Sequence, residues 1–132
     1  MKLKWNSAAI EDQRAIVAYC KKQFGAIVSI EVRERIRHSA KLLKSHPHLG
    51  RVEPMLVGCT SLEYRSLVVD KVTKIVYTVH AEYVYIHLLW DVRRDEEFLP
   101  QSLLHRYKDF ESEPIWASEP PVEYGKSEDL GE

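Results

Sequence analysis

The chain opens on Lys2-Leu3-Lys4-Trp5, where polar and apolar residues alternate, and this period of two predicts a short edge strand. Asn6 and Ser7 follow as N-cap candidates, with the acids Glu11 and Asp12 in the first turns. Ala9, Ile10, Ile16, Val17, Tyr19, Cys20 and Phe24 then recur at helical spacing until Gly25 ends the run. A second helical pattern carries Ile27, Ile30, Val32, Ile36, Ala40, Leu42 and Leu43. It stops before His46-Pro47, because proline disfavours helix at the residue ahead of it. Two helices joined at one glycine predict an α-hairpin.

The second half changes period. Gly50, Pro54 and Gly58 mark a loop-rich connection. Three runs rich in Val, Ile and Tyr follow over residues 62–69, 72–80 and 83–90, as strands with a half-buried face prefer. Only Asp70-Lys71 and Ala81-Glu82 separate them, and breaks this short permit only antiparallel hairpins. Neither break contains glycine, so the turn type stays open. Residues 96–107 predict a short helix interrupted at Pro100. The expected order is β-α-α-β-β-β, an α+β domain over residues 1–108. Residues 109–132, with Pro114, Pro120, Pro121 and many acids, predict a flexible or loosely docked tail in which Trp116 and Tyr124 are the apolar anchors.

Charge sharpens this division. The net charge of −1 hides a tail from position 109 with eight acids and one base, −7. The other 108 residues hold 18 of the 19 bases and 12 of the 20 acids, +6. A basic body points to a polyanionic partner, whether RNA, DNA or an acidic protein. The tail could fold over that body, with Trp116 as its anchor. No apolar run approaches the roughly 18 to 20 residues of a membrane span, and the N-terminus lacks a signal-peptide pattern, so a cytoplasmic protein with no membrane partner is expected. Cys20 and Cys59 lie far apart without CxxC spacing and read as half-buried thiols. His38, His46 and His48 lack the accompanying thiols or carboxylates of a metal site, so neither metal nor cofactor is expected.

Four short pieces then stand in order: His46-Pro47-His48-Leu49-Gly50-Arg51; Glu63-Tyr64-Arg65-Ser66-Leu67-Val68-Val69; Thr73-Lys74-Ile75-Val76-Tyr77-Thr78-Val79; and Asp91-Val92-Arg93-Arg94-Asp95. Together they resemble the RelE/ParE superfamily, whose members carry P-x-x-G-R after a helical hairpin, an Arg-x-Leu-Val strand, an R/K-Ile-Val-Tyr strand and a closing strand ending in a basic pair. The likeness spans roughly residues 2 to 100. It implies a helical hairpin packed on one side of a small antiparallel sheet. It also implies the growth-inhibiting toxin of a bacterial type II toxin–antitoxin pair, held in a hetero-oligomer by a cognate antitoxin.

Two activities occur among such toxins. RelE-like members cut mRNA on the ribosome, whereas ParE-like members inhibit DNA gyrase without catalysis. On the first reading the resemblance implies catalytic roles for Arg65, Lys74 and Arg94 and substrate contacts from Arg51, Arg93 and His87. Cutting RNA through its own 2′-hydroxyl needs a base, cations around the phosphate and an acid for the leaving oxygen. Guanidinium forks suit phosphate oxygens, and meander strands about 4.8 Å apart could bring these cations together if they share a face. The sequence departs from the RNase pattern after the last strand. Asp91, Asp95, Phe98 and Pro100 stand where a His or Tyr acid is usual, and alternation does not decide which face His87 takes. The second reading needs only an exposed binding surface. A third is a toxin-fold module that binds antitoxin but has lost activity. A bland reading of Arg65 pairs it with Glu63 or Glu82.

Overall fold

The structure, a computed structural model, describes residues 1–112. Its elements are β1 (Lys2–Trp5), α1 (Ser7–Phe24), α2 (Ala26–Ser45), β2 (Arg51–Val52), β3 (Arg65–Val68), β4 (Thr73–Val79), β5 (Tyr83–Asp91) and α3 (Leu99–Ser112), with short 3-10 turns at Pro54–Leu56 and Glu96–Phe98.

The helical hairpin follows the sequence signals closely. The Asn6 side chain accepts from the Ala8 N–H at 2.8 Å and so caps α1. Gly25, at φ +96°, ends α1 and begins α2, a backbone conformation that a side chain would strain. Pro100 does not interrupt the third helix as the sequence pattern suggested. It sits in the first turn of α3, where its missing N–H leaves no helical bond unmade. The helix then continues across position 109 to Ser112. Residues 113–132, which hold most of the acidic tail with Trp116 and Tyr124, lie outside the described residues.

The five strands form one sheet in the order β1-β5-β4-β3-β2. The expected meander is present, with β3–β4 and β4–β5 both antiparallel. Three details go beyond the sequence pattern. Strand β1 pairs parallel with β5, so the sheet is mixed rather than wholly antiparallel. The two-residue strand β2 extends the other edge from within the presumed loop. The first β-rich run shortens to residues 65–68; ahead of it, the Thr60 hydroxyl bonds both the Leu62 N–H and the Tyr64 hydroxyl in a turn.

The β4–β5 register slips once. Val76 stands opposite Leu88 while Tyr77 stands opposite Ile86, leaving His87 as the extra residue of a β-bulge. Each face of the sheet is covered. The hairpin buries Leu3, Trp5, Ile36, Leu43, Ile75, Tyr77 and Ile86 on one side, whereas α3 and the first 3-10 turn bury Leu56, Tyr64, Val76, Leu88, Trp90 and Leu103 on the other. Trp5 and Trp90 are both core. Cys20 and Cys59 are free and half-buried. No described helix is long and apolar enough to cross a membrane.

Candidate functional site

Register decides which of the candidate cations can act together. Across β3–β4, Arg65 stands opposite Tyr77 and Val68 opposite Lys74, with no slip between. Side chains alternate along a strand, so Arg65 shares the hairpin face with Tyr77 while Lys74 takes the α3 face. The convergence of Arg65 and Lys74 on one phosphate, which required a shared face, is therefore not formed.

On the hairpin face, Arg65 holds the P-x-x-G-R loop. Its guanidinium donates to the Gly50 carbonyl at 2.7 Å, and Glu63 lies 3.8 Å from it. The Tyr77 hydroxyl donates to the Pro47 carbonyl at 2.8 Å and accepts from the Gly50 N–H at 2.9 Å. Burial pushes that phenol's pKa up, so it stays protonated to donate. A Cβ on Gly50 would meet the Ser66 carbonyl oxygen at 2.6 Å and the Tyr77 hydroxyl at 2.8 Å. Glycine is required here for close approach. Pro47, Gly50, Arg65 and Tyr77 thus lock one loop to the sheet.

On the α3 face, Lys74 is buried between two carboxylates. Its Nζ donates to Glu53 Oε1 at 2.7 Å and to Glu96 Oε2 at 2.9 Å. Glu53 is itself only 1% exposed. Burial alone would raise its carboxyl, but hydrogen bonds from Lys74, the Met55 N–H and Ser66, with the Lys74 charge, hold it below the usual carboxylate range. The three groups together carry one negative charge, which repels rather than attracts a phosphate.

Beside them, Trp90 stands opposite Lys74 in the β4–β5 register, and the exposed Arg94 lies over its ring, 4.3 Å from the centroid. Lys74 and Arg94 are therefore brought into one neighbourhood. Arg93, at the adjoining corner, forks onto Asp91 with bonds of 3.0 and 2.9 Å. That fork raises the Arg93 pKa and lowers that of Asp91. Arg51 is exposed on β2 opposite Ser66, on the Lys74 side of the sheet and at its margin.

His87 is fully buried under α3, where the bulge turns it among Tyr64, Tyr85 and Phe110. Its Nε2 bonds the Thr78 hydroxyl at 2.8 Å, and the same hydroxyl meets His80 Nε2 at 2.7 Å. Burial, followed by the nearby His80, lowers the His87 pKa to about 3, which keeps the ring neutral. No substrate surface reaches it among the described residues.

Sequence reasoning missed Glu53, Glu96 and the Asp12–Arg106 pair. Arg106 forks onto Asp12 at 2.9 Å twice and so pins α3 to the start of α1. The signal for such carboxylates was indirect: a lysine inside a strand as apolar as β4 needs a buried anion somewhere.

No protein-family model matches the sequence. No curated protein matches it either. Among solved structures, a chain described as "Chromosomal ParDE TA system from P. aeruginosa" is similar, with a TM-score of 0.58 and 21% identity over 69% of this chain and 95% of that one. In fold, this chain is ParE-like.

Proposed function

We propose that this chain is the toxin of a type II toxin–antitoxin pair, and that it arrests growth by gripping a protein target rather than by cutting RNA. The toxin reading rests on the ParE-like fold together with the four motifs in order. The likeness to the ParDE chain also supports a cognate antitoxin as partner and action inside the cytoplasm.

One observation favours a non-catalytic mode: Lys74 is neutralised by the buried Glu53 and by Glu96 at the surface, on the face opposite Arg65. A phosphate would have to expel both carboxylates to reach it. Removing a lysine's partners inside a protein is costly, so the pair is a poor reservoir of free charge. His87, held neutral and sealed under α3, is no better placed as the acid for a leaving oxygen. Exposed Arg93 and Arg94 at the end of β5 remain as surface groups for gripping a partner.

The target the resemblance suggests is DNA gyrase. The purified chain, added to gyrase and relaxed plasmid, should block supercoiling, and addition of the antitoxin encoded beside it should restore it. Normal supercoiling at saturating chain would overturn the gyrase assignment. Harmless overexpression without antitoxin would instead favour the binding-module reading, in which the fold is kept and toxicity lost.

A further inference from the structure

Strand β5 ends at a corner that it shares with α1 and the second 3-10 turn, and this corner carries more than two arginines. Tyr19 of α1 is 47% exposed, and the Arg93 guanidinium lies over its ring, 5.7 Å from the centroid. Phe98, the last residue of the 3-10 turn, is 55% exposed. Two large aromatic side chains therefore face solvent beside the basic pair.

The two arginines are not equivalent. The fork of Arg93 is filled by Asp91. Arg94 instead lies over the buried Trp90 ring, and among the described residues its guanidinium forms no hydrogen bond or ion pair. The indole restricts the side chain from one side and leaves the N–H donors open, since Arg94 is exposed. A fork held in this way has less freedom to lose when it meets a carboxylate.

We propose that Tyr19, Arg94 and Phe98 form the surface that contacts the target, and that it takes a protein segment presenting one carboxylate beside apolar side chains. The inference rests on the toxin reading but not on gyrase being the target. Protein interfaces are enriched in Tyr, Phe, Trp and Arg and depleted in Lys, which is the composition of this corner. The open Arg94 fork matches a carboxylate through two parallel bonds. The surrounding charge selects against nucleic acid. Residues 91–98 set two arginines against the four acids Asp91, Asp95, Glu96 and Glu97, a net charge of −2. A phosphate backbone needs a row of cations, whereas a single carboxylate needs one fork.

The test is growth arrest on induced expression without antitoxin, titrated against the amount of chain produced. Arg94→Gln and Tyr19→Ala/Phe98→Ala should each raise the amount needed for half-maximal arrest about tenfold, the scale on which interface anchors act. Their urea midpoints should stay near the parent's. Arg94→Lys should be as weak as Arg94→Gln, because an ammonium cannot form the fork. Lys41→Gln, exposed on α2, should change arrest by less than about twofold, as expected of a charge outside the contact. Arrest by the parent with undiminished potency in the corner variants would overturn the inference alone. Parental potency in Arg94→Lys would overturn the carboxylate fork. A parent chain that arrests nothing would overturn the toxin reading and the inference with it. Fluorescence anisotropy supplies the last arm: binding of a DNA duplex or single-stranded RNA that Arg94→Gln abolishes would make the corner a nucleic-acid surface and overturn the proposal.

Discussion

The two faces of the sheet use the same residue types for different ends. On the hairpin face, Arg65 and Tyr77 are polar groups turned inward to fasten a backbone loop, and most of the residues around them are apolar. On the α3 face, Lys74, Glu53, Thr78 and His87 are buried among Tyr64, Leu88 and Trp90 under a single helix and a 3-10 turn. The first arrangement satisfies main-chain groups of the Pro47–Gly50 turn, so its residues are dictated by the loop. The second satisfies side chains with one another, so its stability depends on keeping each partner. The residues that carry the resemblance to the RelE/ParE superfamily are mostly loop fasteners, and a motif likeness here reports architecture before chemistry.

The comparison breaks most readily at Lys74. Lys74→Met should destabilise the fold by about 3 to 5 kcal/mol because Glu53 loses its buried counter-charge, and Glu53→Met in the same chain should recover most of it. Chemical denaturation of the two single variants and the double variant reads this coupling. Additive losses would show that the pair is incidental.

The second difference is pH. His87 has its folded pKa lowered to about 3 from an unfolded value near 6.5, so the unfolded chain takes up a proton first. Its contribution is complete above about pH 6.5 and is lost as pH falls toward 3, at up to about 1.4 kcal/mol per unit. His87→Phe should flatten the stability curve between pH 6 and about 4 relative to the parent chain, measured by urea midpoints. The Glu53 carboxyl, lowered in the folded state, adds acid sensitivity of the same sign below the ordinary glutamate range, and this remains in the variant.

A smaller effect is expected on the hairpin face. Gly50→Ala forces a Cβ against the Ser66 carbonyl and should cost about 1 to 3 kcal/mol, the usual range for overpacking. Unlike the His87 effect, this loss should be constant over the same pH range. Smallest of all, Arg94→Ala removes one exposed contact over Trp90 and should change stability by less than about 1 kcal/mol. It should nonetheless weaken inhibition if the end of β5 grips the target.

Much of the architecture was legible because helices and strands carry their own periods. The hairpin, its hinge at Gly25 and the three-strand meander all follow from local pattern. Three features were not local. Strand β1 pairs with a strand some 80 positions away, and nothing in Lys2-Leu3-Lys4-Trp5 specifies a parallel partner. Register across β3–β4 depends on a turn that Asp70 builds by accepting from the Val72 and Thr73 N–H groups, without the glycine that would have fixed its type. Without register, the opposite faces of Arg65 and Lys74 could not be read. The bulge at His87 breaks the alternation on which any facing argument for β5 rests. Of the candidate residues, the positions were legible but their partners were not, since Glu53 and Glu96 lie 21 and 22 residues from Lys74 on either side.

The central claim, that Lys74 is a buried structural cation and the chain grips rather than cuts, is tested most directly by mapping transcript 5′ ends in cells during induced expression without antitoxin. Growth should stop while ribosome-bound transcripts remain intact. New ends at codon boundaries, lost in a folded variant that lacks Arg65 or Arg94, would contradict the claim.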